Sequence, residues 1–90
     1  RVMIWNNFPT GDGVAPDIII GQSNDTNTTS GSGLAQLSSP EHAFITGTKL
    51  IVVDGGNSRI LIFNSLPSST GTAADVAMPP IASIPRLLPR

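Results

Sequence analysis

The stretch "VVDGGNSRILIFNSLP", Val52 to Pro67, decides how this chain reads. Two runs rich in β-branched residues flank Gly-Gly-Asn-Ser, the pattern of two strands joined by a turn. Its second half is nearly written out once before, at the start of the chain, as "RVMIWNNFP". A shift of 58 residues sets Arg1 on Arg59, Ile4 on Ile62, Asn6 on Asn64, Pro9 on Pro67, Gly13 on Gly71, Ala15 on Ala73 and Asp17 on Asp75. Conservative pairs fill the gaps: Val2 with Ile60, Met3 with Leu61, Trp5 with Phe63, Ile18 with Val76. Self-similarity at a fixed offset marks a structural unit used more than once.

Outward from that stretch, four runs read as strands: "RVMIW", "DIII", "KLIVV" and "RILIF". "HAFI" (His42 to Ile45) and "DVAM" (Asp75 to Met78) are weaker candidates. Each is short and bounded by Gly, Pro, Asn or Ser. No segment places apolar residues at i, i+3, i+4 and i+7 over a helix-sized window. The expected fold is all-β. Continuous apolar runs such as Ile60-Leu61-Ile62-Phe63 predict strands covered on both faces, which short antiparallel sheets stacked on other sheets would provide. One full unit then runs "EHAFI", turn, "KLIVVD", "GGNS" hairpin, "RILIFN", long loop, "DVAM": a four-stranded meander. The chain holds the last two strands of one unit and all four of the next. Residues 1–22 are the partial unit, 23–39 a polar, exposed inter-unit loop, 40–78 the complete unit, and 79–90 a Pro-rich tail or linker.

Composition narrows the function classes. With 39% hydrophobic and 4% aromatic residues in 90, one small domain has a thin margin for a self-sufficient core. There is no cysteine, which excludes disulfides and thiolate metal sites. Net charge is −1 and Lys49 is the sole lysine. That argues against a nucleic-acid surface, which needs clustered cations. No apolar run nears the roughly 20 residues that span a bilayer as a helix, so no membrane insertion is expected. A chain starting at Arg1 without initiator methionine or signal peptide reads as a processed product or fragment.

The segment "TKLIVVDGGNSRILIFN" resembles the NHL repeat, usually close to L-Y-V-A-D-x-G-N-N-R-V-x-x-F. Asp54, Gly56, Asn57 and Arg59 fall where that family puts Asp, Gly, Asn and Arg. Ser58 replaces the usual second Asn, and Pro40 stands where a Pro commonly opens the repeat. Gly21-Gln22 is similar to the Gly-Gln that ends the outer strand in a longer-period bacterial branch, and Pro79-Pro80 replaces it in the second copy. The resemblance, from Arg1 to about Met78, implies four-stranded antiparallel β-propeller blades: one half-blade plus one full blade. A closed propeller hides blade faces and edges. One and a half blades leave an inner edge and an apolar face open, so either the chain belongs to a longer propeller or another copy completes the half-blade. The expected assembly interface is Val2, Ile4, Trp5, Ile18 and Ile20, with Trp5 buried between blade strands as Phe63 is.

Candidate chemistry is sparse. Asp54, Asn57 and Arg59 read as scaffold: the first two satisfying hairpin backbone, the third pairing with Asp54. His42, the only histidine, lies near the inner strand. In propeller lyases similar to this family, histidines and carboxylates hold a metal in the central channel. His42 with Glu41 falls short of the three or four ligands a metal wants. Asn24 and Asn27 open formal N-glycosylation sequons, and Asp25 in the same loop is a weak calcium candidate without dedicated loop spacing. Otherwise no cofactor is expected. "GDG", "DGG" and "GSG" are turns, not phosphate cradles, and no catalytic Ser-His-Asp or Cys-His set is proposed. "PRLLP" in the tail is a conceivable groove ligand and more simply a linker.

These features predict a non-enzymatic module that self-associates or binds partners by blade or strand completion. Its sharper form is a structural subunit of an extracellular oligomer or filament. Partners would be copies of itself or other propeller blades, with no nucleic acid. The polar loops lean towards an extracellular or periplasmic setting. The alternatives are a fragment of a larger propeller enzyme and a piece of a ligand-sensing receptor domain.

Overall fold

The computed structural model describes residues 1–23 and 29–78. All of its regular structure is β apart from one 3-10 turn, Gly55–Asn57. Two strands, β1 (Val2–Ile4) and β2 (Ile18–Ile20), form a small antiparallel sheet. Four more, β3 (Pro40–Thr46), β4 (Lys49–Asp54), β5 (Arg59–Phe63) and β6 (Val76–Met78), form a second antiparallel sheet in sequence order. The strand expected over His42–Ile45 is longer than its apolar letters, running from Pro40 to Thr46, with a bulge between Pro40 and His42. A two-residue turn joins Thr46 to Lys49. Gly47 takes φ +60 there, as the first position of a tight hairpin turn requires.

Opposed residues of antiparallel strands share a face. The rungs Ile45–Leu50–Phe63 and Ala43–Val52–Leu61–Ala77 therefore point one way. The rungs Phe44–Ile51–Ile62–Val76 and His42–Val53–Ile60–Met78 point the other. On the first face Leu50, Val52, Leu61 and Phe63 are buried, in one cluster with Ile18, Ile20, Leu37 and Ala74. Val2 and Ile4 pack against that cluster. The small sheet thus lies on the first face of the large one. Each buried Leu, Ile or Phe side chain contributes about 1.5–3 kcal/mol, which is what holds two three-residue strands in place.

Two expectations need correcting. Ile18 and Ile20 are buried in the chain's own core, with Val2 and Ile4 against it, so these four side chains face the second sheet and not a partner. Within the single chain Trp5 is half-buried, less so than Phe63, and its indole Nε1 donates to the Val14 carbonyl at 2.9 Å within its own loop. Two-sided coverage also holds for only one face. On the second face Phe44, Val76 and Met78 are exposed, and Ile51, Val53, Ile60 and Ile62 are half-buried.

The long connections are tied down by backbone bonds at matching places. Asp17 N–H donates to the Ile4 carbonyl and Asp75 N–H to the Ile62 carbonyl, both at 2.9 Å. The Asp17 carboxylate accepts from Asn6 N–H at 2.8 Å, and that of Asp75 from Asn64 N–H at 2.7 Å. The β5–β6 loop closes over the outer edge of β2: Ile19 N–H donates to Thr70 Oγ1 at 3.0 Å, and Gly71 N–H donates to the Ile19 carbonyl at 2.9 Å.

The segment read as a uniformly exposed loop over 23–39 ends in a core residue, since Leu37 is buried. Room for it depends on Gly21, whose φ is +93 and where an added Cβ would sit 2.6 Å from Leu37 Cδ1. Gly21→Ala should therefore lower stability by about 2 kcal/mol, combining left-handed strain with overpacking. Gly11→Ala is the control, as a Cβ there meets nothing within 4 Å. Urea unfolding followed by circular dichroism checks this, and equal midpoints for the two variants would contradict it.

Candidate functional site

The polar residues of the β4–β5 hairpin meet on one carboxylate. Asp54, fully buried at the end of β4, accepts three hydrogen bonds. Ser38 N–H reaches Oδ1 at 2.8 Å, while Asn57 Nδ2 and Arg59 Nε reach Oδ2 at 2.8 and 3.0 Å. The partners extend further than the hairpin. Asn57 Nδ2 also donates to the Gly31 carbonyl at 2.8 Å. Arg59 Nη1 donates to the Ser32 carbonyl at 2.8 Å, and its Nη2 to the carbonyls of Gly33 and Gln36, each at 2.9 Å. Gly56 is held against Ser38, donating its N–H to that carbonyl at 2.7 Å. An added Cβ would fall on the same carbonyl oxygen, so glycine is required there. Asp54, Gly56, Asn57 and Arg59 thus form a knot that ties the 31–38 segment to the hairpin. A carboxylate with three donors and no exposed surface offers no approach to a substrate.

The other singled-out side chains are scattered. His42 is exposed on β3, opposite Val53. With Glu41 it borders a shallow recess shared with Arg1 and Val2. Among the described residues there is no group of three or more His, Cys, Asp or Glu placed to hold a metal. Asn24, Asp25 and Asn27 lie outside the described residues, as does the tail over 79–90. Among the described residues no helix is long and apolar enough to cross a membrane.

What the fold builds instead is a groove where the first face runs out from under the small sheet. Met3, Ile4 and Trp5 border it on one side, and Ala43, Ile45 and Leu50 on the other, enclosing about 320 Å³. Its floor on β3 is bare, with Ile45 59% exposed. Its wall is a strand edge. Ile19 uses its N–H and C=O on the far side of β2, and Met3 stands directly opposite Ile19. In an antiparallel pair of this kind the N–H and C=O of both members point away from the partner strand. Those of Met3 therefore point into the groove. An unpaired edge beside an apolar floor can take up an extended segment by backbone pairing.

No protein family, no curated protein and no solved structure matches this chain.

Two measurements test the knot. Asp54→Ala strands the Arg59 guanidinium, which is 12% exposed, and should cost about 3–5 kcal/mol as a broken buried pair, abolishing the cooperative unfolding transition. Arg59→Lys keeps the charge but loses the fork that spans three carbonyls. The Ala74 amide, bonded to the Leu34 carbonyl at 2.9 Å, should then exchange about 10-fold faster, matching roughly 1.4 kcal/mol of lost bracing. Unchanged Ala74 exchange would mean that Arg59 does not hold this segment.

Proposed function

We propose that this chain is a non-enzymatic assembly module built from NHL-like β-propeller blades, which joins copies of itself or other blades by strand completion along β1. The observation that carries the reading is the groove: an apolar floor of Ala43, Ile45 and Leu50 beside the outward N–H and C=O of Met3. Its shape suits one extended strand. The sequence suggests which strand. β4 pairs β5 with Val52 opposite Leu61, and Leu61 stands 58 residues beyond Met3. A strand with the sequence of β4 would then lie along β1 with its Val52 equivalent opposite Met3. Matched backbone bonds at Ile4 and Ile62, and matched carboxylate bonds at Asn6 and Asn64, support treating residues 1–20 as an incomplete version of 59–78. In this reading the Asp54 knot is scaffold, and the chain works as a joint in an oligomer or filament with no chemistry of its own.

A synthetic peptide of sequence TKLIVVDG, titrated into the protein, tests strand acceptance. Trp5, the only tryptophan, borders the groove, so its emission should shift to shorter wavelength as the peptide fills it. Met3→Pro removes the outward N–H while leaving a tolerated edge position, and should weaken the peptide at least 10-fold. Binding that Met3→Pro leaves untouched would rule out pairing along β1.

A further inference from the structure

Among the described residues the second face of the four-stranded sheet lacks a covering sheet, and the contact that would cover it is already drawn elsewhere in the molecule. In the interface within the chain, the small sheet presents Val2, Ile4, Ile18 and Ile20 to the first face of the large sheet. The β5–β6 loop caps the outward backbone of Ile19 through Thr70 and Gly71. The residues 58 places further on are Ile60, Ile62, Val76, Met78 and, for Ile19, Ala77. They share the same geometry: Ile60 pairs Met78 and Ile62 pairs Val76, as Val2 pairs Ile20 and Ile4 pairs Ile18. They are uncovered. Val76 and Met78 are 42% and 37% exposed. Ala77 stands opposite Leu61 as Ile19 stands opposite Met3, so its N–H and C=O point away from β5, and among the described residues no loop caps them as Thr70 and Gly71 cap Ile19.

A matching counterpart exists at the other end of the chain. Asp12 and Gly13 occupy, in the β1–β2 loop, the places of Thr70 and Gly71 in the β5–β6 loop. Gly13 has φ +74 and Gly71 φ +81. The Asp12 side chain is exposed. Its carboxylate can accept from a backbone N–H as Thr70 Oγ1 does, and Gly13 N–H can donate as Gly71 does. Beside that loop Met3 is 40% exposed, whereas Leu61 at the corresponding place is fully buried. Within one chain the small sheet already lies on the first face and cannot also reach the second.

We infer that the second face is a docking surface for a second copy of this chain. The incoming small sheet lays its Met3 and Trp5 side over Ile60, Ile62, Val76 and Met78, and its Asp12–Gly13 loop caps the Ala77 edge. The contact continues, one unit further, the interface the chain makes internally. It is heterologous, so repetition gives a ring or an open filament. The inference rests on the assembly reading above; its head shares Met3 and Trp5 with the rim of the β1 groove, while its tail of Ile60, Ile62, Val76 and Met78 and the Asp12–Gly13 cap lie outside that groove.

Two variants isolate it. Asp12→Lys spoils the head and Val76→Glu spoils the tail, and both positions are exposed, so circular dichroism should show the native fold. In sedimentation equilibrium the unsubstituted chain should grow in mass with concentration, while each variant alone should associate at least 10-fold more weakly. Mixed in equal amounts, the variants should form a dimer and stop, because one intact tail meets one intact head. Variants that assemble like the unsubstituted chain would overturn the inference, and so would a mixture that stays monomeric. Association that survives both substitutions but is lost in Met3→Pro would overturn it while leaving strand completion standing. A chain that remains monomeric to about 1 mM, the concentration at which contacts of roughly 4 kcal/mol become visible, would overturn it too, with the peptide titration still deciding the groove.

Discussion

Everything in this fold hangs on a charge that water cannot reach. A carboxylate moved into a protein interior costs several kcal/mol unless donors replace its hydration. Asp54 meets that demand with three donors, two from its own hairpin and one from Ser38 in the preceding segment. Satisfying the carboxylate therefore fixes more than the carboxylate. It brings Ser38 to the end of β4, sets Pro40 opposite Asp54 to begin β3, and orients the Arg59 fork onto the carbonyls of the preceding segment. That segment then delivers Leu37 to the core. Without the polar knot, the apolar cluster would lose one of its walls.

The small sheet shows the converse dependence. Two three-residue strands are too short to persist alone in water. Their pairing survives because one side lies on Leu50, Val52, Leu61 and Phe63, and because the β5–β6 loop occupies the outer edge at Ile19. Sheet-on-sheet burial and edge capping are thus two parts of one contact. Neither part is local: Thr70 is 51 residues from Ile19.

The strands were legible in the sequence because β-branched runs bounded by turn residues report local preference. The hairpin motif was legible because Asn57 and Arg59 both bond Asp54 within five residues, although Gly56 is needed for its contact with the distant Ser38 carbonyl. The Asp54–Arg59 pair spans only five residues. Leu37 was hidden because its neighbours Gln36 and Ser38 are polar, and its burial comes from Arg59 gripping carbonyls more than 20 residues away. The placement of Val2, Ile4, Ile18 and Ile20 was missed for a related reason. Periodicity tells which residues share a face but not which partner covers it, and the cover turned out to be intramolecular. The groove at Met3 could be foreseen as an open edge. Its apolar floor could not, since Ala43 and Ile45 line it only through the offset between the two sheets.

The bulge between Pro40 and His42 bears on what the chain must avoid. β3 is the longest strand described and borders the four-stranded sheet, so its outer rim is the broadest template for uncontrolled cross-β growth. A proline without an N–H, an unpaired glutamate and the irregular register around them disrupt that rim near its start, a common safeguard on natural sheet margins. The edges at Met3 and Ala77 carry no such guard, yet each belongs to a strand of three residues. Short, unguarded rims favour pairing with one shaped neighbour, whereas a long one invites any extended chain. The distribution of defects along the sheet borders therefore places the strongest guard on the longest exposed rim, where unguarded cross-β growth would be easiest.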